Sequence, residues 1–536
     1  AISPPTEKTY PLVRLEKLGA TVLFGAVSNT LKDWLRSRGG MKNEGEPVVL
    51  LPPDLFDTTT RRSFAAREFL VYFNAFVKLA LFNPNAPRLK IIGTPEQLSA
   101  IKEYLRHTIS GPDWPAGEYA SFLPPEQRTF FKNVHEYFAP KRGGKVIPIE
   151  GYIETIPLTP SGTATVEIKD ADGRVKGNFS VEKAKPTKGS KKIEYVITEN
   201  TAGEHLRHVL EARYSHPEPL RYLIPNSIRK DIEAAKNSGF GFTAMGTSTG
   251  FDTAGDMTSF VLWLEGQGLW VDPSYEAIQY MQDLGWTDED IPYILLTHIH
   301  QDHDGGVLER LLMGRKIKLL ATRVVYEEFM KKLELRLQFL GHSFDRQAVR
   351  ELVDWQELVP AGQDFHLKGL PSGREAVIQT WWNLHPIPTN GFNVSYGGFT
   401  YLQSGDIRYS PSFIDELEQK HVLTHEQADE QRYRYFDAEG HPRFSYAHLE
   451  GGGLPIHTEL DTWAKLPQEV RDIIGIYHVP DKSVQEKYAS VLHKVQMFES
   501  RVFVPSDQTL REQYARAILL GNALLEGRSE DFKEVF

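Results

Sequence analysis

The segment THIHQDHDGG, residues 297–306, sets His298, His300, Asp302 and His303 at closely spaced positions. Imidazole and carboxylate groups are costly to bury without a partner, and a bound metal ion supplies one. In extended backbone, residues two apart project to the same side, so His298 and His300 can converge on one ion. If the chain then turns, Asp302 and His303 swing toward a second position beside the first. Gly305 and Gly306 allow the backbone to bend closely and open a helix. The chain contains no cysteine, which excludes disulfides, iron–sulfur clusters and thiolate zinc sites and leaves nitrogen and oxygen donors for any metal.

The surrounding elements read as α/β. YILLT (293–297) is short, β-rich and apolar on every side, as a central strand covered on both faces should be. The histidine-rich segment begins at its end, where α/β proteins commonly place ligands. The Gly-rich stretch 239–250 precedes MTSFVLWLEG and GLWVDPS, which predict strands joined by a turn at Gln267-Gly268, followed by a helix over 276–283. EEFMKKLELRLQFL carries Phe329, Leu333, Leu337 and Leu340 on one stripe and predicts a packed helix.

A domain boundary is placed near 238. Residues 1–237 predict a separate α/β N-terminal domain with strands in VVLLPP (48–53) and LKIIGTP (89–95) and helices at 203–214 and 226–237. FLVYFNAFVKLALF (69–82) reads as a buried helix, too short and too polar to span a bilayer. A β-hairpin insertion is expected at about 146–200, turning at Asp172-Gly173. KAKPTKGSKK (183–192) reads as a solvated loop, although its lysines could touch phosphates. Residues 238–536 form the second domain, with amphipathic helices expected over 483–526.

The composition, 40% hydrophobic and 25% charged, is that of a soluble globular chain, with no membrane association expected. A net charge of −10 argues against tight unspecific nucleic-acid binding and leaves room for a local basic track. The sequence starts at Ala1 without a Met, so a leader could have been removed; localisation is weakly constrained, with the cytoplasm favoured.

The pattern His298-x-His300-x-Asp302-His303 resembles the H-x-H-x-D-H signature of the metallo-β-lactamase-fold superfamily, and the resemblance extends over about 238–485. It implies an αββα sandwich with metal ligands on loops at one edge. It further implies His385 in NLHPIPTNGF as the third ligand of a first ion, Asp406 in YLQSGDIRYS as a carboxylate bridging both ions, and His478 in GIYHVPD as the last ligand of the second. Asp302 would then be both ligand and catalytic carboxylate. Asp272 in GLWVDPS resembles the early aspartate that supports such sites from behind, though a bare Asp-Pro turn would need no such role. The implied cofactor is a pair of divalent ions, zinc first, with iron or manganese suited to the same donors.

Between Asp406 and His478, SYAHLEGGGLPIHTELDTWAKLP (445–467) resembles the His-Glu and His-Thr segments of phosphodiesterase-type members, especially the transfer-RNA 3′-end processing endonucleases. This chain departs from that pattern, reading His448-Leu449-Glu450 where those enzymes have adjacent His-Glu, and its loop is shorter. The resemblance implies that Glu450, paired with His448 or with His457, protonates the leaving oxygen. The alternative is a Gly-rich loop whose polar side chains only satisfy backbone. Arg408 could turn its planar fork to a phosphate or be a surface arginine.

The expected function is a metal-dependent hydrolase using an activated hydroxide on a phosphodiester or related ester, with a small-molecule or nucleotide-type substrate. A rival is a dinuclear-iron oxygenase or a protein handling oxygen or nitric oxide on the same fold; iron members often carry a carboxylate where this chain has His385. A third reading is a non-catalytic metal-dependent sensor or binding module. The N-terminal domain is expected to position substrate or to form a homodimer.

Overall fold

The computed structural model describes residues 12–24, 46–51, 56–57, 62–63, 88–112, 118–170, 173–184, 194–201, 204–211 and 224–507, less 253, 313, 340–342, 344 and 454. The expected helix at 69–82, most of the lysine-rich stretch 183–192, Asp172 and the end of the expected C-terminal helices lie outside the described residues.

In the N-terminal half, β1 (Leu12–Leu15) and β2 (Ala20–Phe24) pair antiparallel. β3 (Glu46–Leu50) and β4 (Leu89–Gly93), from the two apolar runs read as strands, extend the sheet in parallel. Helix α1 (Pro95–Ser110) starts at a capping box in which Thr94 and Gln97 satisfy each other's backbone N–H groups. After α2 (Pro125–Phe138), β5 (Ile153–Pro157) completes the five-stranded sheet beside β4.

The expected hairpin is part of a larger antiparallel sheet of β6 (Thr163–Lys169), β7 (Val175–Lys183), β8 (Glu194–Thr201) and β9 (Glu204–Glu211). The helix expected at 203–214 is therefore β9. Thr201 pairs with Glu204, so only two residues connect the strands, and ladder bonds to β8 override the local helical pattern.

Helix α3 (Asn226–Lys236) leads into two stacked sheets. The first contains β10 (Phe240–Gly246), β11 (Ser259–Leu264) and β12 (Gln267–Val271), then, after α4 (Tyr275–Asp283), β13 (Tyr293–Leu295). Helix α5 (Gln301–Leu312), β14 (Ile317–Thr322), helix α6 (Arg323–Phe339) and β15 (Val353–Leu358) follow. The second sheet contains β16 (Phe365–Leu367), β17 (Ala376–Trp382), β18 (Asn390–Tyr396) and β19 (Phe399–Gln403). Helix α7 (Pro411–Gln419) intervenes before β20 (Tyr446–Glu450) and β21 (Ile474–Tyr477). A last strand, β22 (Ser500–Val504), returns to the first sheet, whose order is β15-β14-β13-β12-β11-β10-β22.

Phe242, Phe260, Leu262 and Leu295 meet Phe392, Val394, Tyr401 and Tyr477 between the sheets. Val261, Trp263 and Ile294, from the same strands, and Leu319 from β14 meet α3 to α6 on the outer face. Alternate residues thus fill opposite faces, which is why these strands read as continuous apolar runs. Helix α7 covers the second sheet with Phe413, Ile414 and Leu417. This is the αββα sandwich that the resemblance implies.

The amphipathic helix expected in VQEKYASVLHKVQMF is absent. Helix ends at Gln485, and farther on the Ile476 N–H donates to the His493 carbonyl while the Val495 N–H donates to the Ile476 carbonyl, which holds the chain extended along β21. Among the described residues no helix is long and apolar enough to cross a membrane.

The two halves share buried contacts. Helix α1 packs along α6, where His107 Nδ1 lies 2.8 Å from the Glu328 carboxylate and Tyr119 donates to that carboxylate's other oxygen. From α2, Phe131 sets its ring edge-on to Trp382 at 4.7 Å, and His135 Nδ1 lies 3.3 Å from the Pro386 carbonyl, next to His385.

Burial opposes the charge on His107, and Arg106 does so weakly, but Glu328 and Glu103 outweigh both and push its pKa up to about 9. The folded value lies above that of the unfolded chain, so this contribution to stability is complete below about pH 6.5 and disappears as pH rises through about 9. Urea unfolding of wild type and His107→Gln should differ by about 2–3 kcal/mol at pH 6 and by much less at pH 9.5.

Candidate metal centre

β12, β13 and β14 run parallel, as do β19, β20 and β21, so several strands of both sheets end at the same edge of the sandwich. The sequence-predicted residues come from those ends. Asp272 follows β12, and the loop after β13 carries His298 and His300. The first turn of α5 carries Asp302 and His303. His385 lies between β17 and β18, Asp406 after β19, Glu450 at the end of β20 and His478 after β21.

The turns are tight. Asp272 and His478 adopt positive φ of 46° and 56°, unusual for residues with a Cβ. Gly405, with φ of 63°, turns the chain into Asp406, where an added Cβ would meet the Asn390 carbonyl at 2.5 Å. Gly306 lets α5 approach the preceding loop, donating its N–H to the Pro273 carbonyl at 2.7 Å, where an added Cβ would stand 2.5 Å from that oxygen.

The structure brings all seven ligand-type residues together. His298 Nε2 lies 3.0 Å from His300 Nδ1, which lies 3.4 Å from His385 Nε2. With Asp406 these offer four donor atoms within 4.8 Å of one another, and Asp302, His303 and His478 form a second such set. Asp406 Oδ2 joins the two, 3.7 Å from His298 Nε2, 3.4 Å from His303 Nε2 and 3.5 Å from His478 Nε2.

A layer of hydrogen bonds orients these rings. Asp272 accepts from the Thr297 N–H and hydroxyl at 2.8 and 2.6 Å and faces His303 Nδ1 at 2.9 Å. The Thr297 hydroxyl also lies 3.0 Å from His298 Nδ1, and the Thr258 hydroxyl lies 2.9 Å from His478 Nδ1. Gly250 N–H donates to Asp302, and Asn383 Nδ2 holds the Asp406 backbone through its carbonyl.

The donor set fits divalent cations. Burial pushes His298, His300 and His478 well below the ordinary imidazole range and His385 down to about 3, so these rings are neutral at pH 7, the form in which an imidazole nitrogen ligates a metal. Burial works against the Asp406 anion, but His478 and His303 outweigh it and hold the carboxyl well below its usual value. Buried His303 Nε2 and Asp406 Oδ1 have no hydrogen-bond partner among the described residues, a costly arrangement that a cation relieves. Nitrogen and carboxylate donors suit zinc, iron and manganese alike.

Beside this cluster stands His457, whose Nδ1 lies 3.4 Å from Glu450 Oε2 and 3.8 Å from Asp406 Oδ2. Glu450 is wholly buried and fixed by the N–H groups of Thr458 and Gly452 at 2.7 and 2.8 Å. Burial disfavours the His457 cation, yet Glu450 overrides it and raises the ring to about 8. Its side chain is 16% exposed, unlike the buried ligands.

Two other sequence-predicted residues make their contacts outside the ligand cluster. His448 is not at the site. Its ring is wedged between Phe242 and Phe260 in the inter-sheet core, with Nδ1 2.7 Å from the Tyr401 hydroxyl, and burial lowers it to about 3. It lies two residues back along β20 from the edge where Glu450 emerges, so Glu450 takes His457 as its partner. Arg408 stacks its guanidinium over Phe413 at 4.0 Å and donates to the Pro455 carbonyl at 3.3 Å, bracing the loop that carries His457. Nothing in the sequence singles out Thr258, a polar residue just before an apolar strand; Thr297 could have been found from its place beside His298.

Comparison with known proteins matches residues 240–434 to the family model of the anti-Pycsar protein Apyc1. Two proteins of Dictyostelium discoideum are similar. The cGMP-dependent 3′,5′-cGMP phosphodiesterase A is 27% identical over 249 residues, covering 46% of this chain and 26% of that protein. The cAMP/cGMP-dependent 3′,5′-cAMP/cGMP phosphodiesterase B is 26% identical over 285 residues, covering 53% and 24%. The chain thus matches about a quarter of the length of these relatives. Among solved structures, the short form of human tRNase Z is 15% identical with a TM-score of 0.34, covering 49% of this chain and 99% of that one.

His303→Ala removes a donor from the second set and the orphan atom nearest Asp406. Metal bound per chain, measured by elemental analysis after dialysis, should fall by about one equivalent, with the fold retained by circular dichroism.

Proposed function

We propose that this chain, whose second half has the metallo-β-lactamase fold, is a metal-dependent phosphodiesterase that hydrolyses a 3′,5′-cyclic nucleotide. The observation that carries the reading is the Glu450–His457 pair, 3.4 Å apart, set against the Asp406 carboxylate, which belongs to the first donor set and lies 3.4 and 3.5 Å from His303 and His478 of the second. Similarity to the two cyclic-nucleotide phosphodiesterases supports the substrate class.

His298, His300 and His385 would hold one divalent ion, Asp302, His303 and His478 the other, and Asp406 both. Bound there, the pair would supply hydroxide at neutral pH and neutralise charge on the phosphoryl oxygens. The rest falls to side chains of this protein. Protonated His457 faces Glu450 with Nδ1, 3.4 Å away as an ion pair, leaving Nε2 to give a proton to the ribose oxygen as the P–O bond breaks. Glu450 keeps the ring charged beforehand and oriented throughout. The Thr458 and Gly452 N–H groups fix Glu450, so this proton donor sits on a braced loop. Helix α2, reaching the His385 loop through His135, lies where it can form one wall of the substrate entrance.

Zinc- or manganese-loaded protein should convert cyclic AMP or cyclic GMP to the monophosphate, followed by chromatography. Glu450→Gln should lower kcat by about 10²-fold or more with metal content unchanged. Protein carrying its full metal complement that leaves every cyclic nucleotide intact would refute the reading.

A further inference from the structure

Helix α6 carries Glu328, Lys332 and Arg336 at four-residue spacing, hence on one face. That face meets α1 of the N-terminal half, and all three side chains are buried, at 1–2% exposure. Burying a charge costs several kcal/mol unless opposing groups offset it. The partners of Lys332 and Arg336 lead to the metal loop.

Lys332 Nζ lies 2.7 Å from Asp304 Oδ2, also buried, and donates to the carbonyl of Ile299. Ile299 stands between His298 and His300, and Asp304 directly follows His303. One ammonium group therefore grips both ends of the stretch 299–304, which contains His300, Asp302 and His303. Arg336 Nη2 approaches Asp304 Oδ1 at 3.9 Å and donates to the Tyr104 hydroxyl at 3.1 Å. Tyr104 belongs to α1, is fully buried, and presents its ring to both cations at 5.6 Å.

We propose that Lys332, acting with Asp304, is a positioning residue that holds the metal loop in its ligating shape, and that Tyr104 completes this support from the N-terminal half. The N-terminal half then sets metal affinity, a role apart from shaping the substrate entrance or pairing chains. The inference rests on the reading of 298–303 as metal ligands.

The alternative is an ion pair that serves folding alone, and paired variants of the full chain separate the two. Zinc affinity is measured by chelator competition, site geometry by the visible spectrum of the cobalt-substituted protein, and stability by thermal unfolding of the metal-free form. Lys332→Met should weaken zinc binding about 10–100-fold, as loss of a ligand's supporting group does, and alter the cobalt bands. Because it also leaves the buried Asp304 charge with only Arg336, at 3.9 Å, to offset it, the decisive variant is Lys332→Met with Asp304→Leu. Replacing both charges should restore unfolding temperature, whereas affinity should stay low because the Ile299 carbonyl still lacks its donor. Tyr104→Phe, which removes one oxygen, should weaken binding about threefold. A double variant with wild-type zinc affinity and cobalt spectrum overturns the proposal, and if wild type also hydrolyses a cyclic nucleotide, the functional reading survives it. Wild-type protein that takes up no metal overturns both.

Discussion

The Asp406 carboxylate is the point on which the site depends. One oxygen lies within 3.4–3.7 Å of nitrogens from His298, His303 and His478, which come from the segment after β13 in the first sheet and the turn after β21 in the second. An anion buried this deeply is tolerated only if cationic or cation-binding partners surround it, and those partners in turn need the anion to offset their own desolvation. The edge of the sandwich therefore forms as a unit or leaves several polar groups stranded.

Backbone geometry makes that convergence possible. Parallel strands deliver their C-terminal ends to one edge, but a strand end alone points its side chain along the sheet. The left-handed turns at Asp272, Gly405 and His478 redirect the chain inward within one or two residues. For Asp272 and His478 this costs roughly 1 kcal/mol or more each. Their side-chain bonds, to Thr297 and His303 in one case and Thr258 in the other, hold those conformations.

The local part of the site was legible in the sequence because its spacing is local: His298, His300, Asp302 and His303 lie on one loop and the helix that follows, and period alone fixes their directions. His385, Asp406 and His478 carry no such period and were legible only through the order of a family pattern. Glu450 was identified with its partner left open between His448 and His457, since alternation along β20 cannot tell which residue clears the sheet edge and which stays in the core. His448 stays in the core because Phe242 and Phe260 from the facing sheet enclose it, a tertiary fact. The fold failed to be legible at 204–211 and 484–498 for a related reason: bonds to β8 and to Ile476 decide backbone conformation there, and both patterns look helical in isolation.

Helix α6 shows how much can lie beside a stripe that is read correctly. Phe329 and Leu333 pack into the core under the first sheet, as their spacing predicts. One position away, Glu328, Lys332 and Arg336 form a second stripe that in a solvated helix would be unremarkable. Burial turns it into the junction between the halves, because each charge has to find its counterpart across the interface or in the metal loop. A helix with one apolar and one charged stripe, both buried, must be covered from two sides. That requirement ties the N-terminal half to the same structural unit as the ligands, though among the described residues no ligand-type residue of the site comes from it.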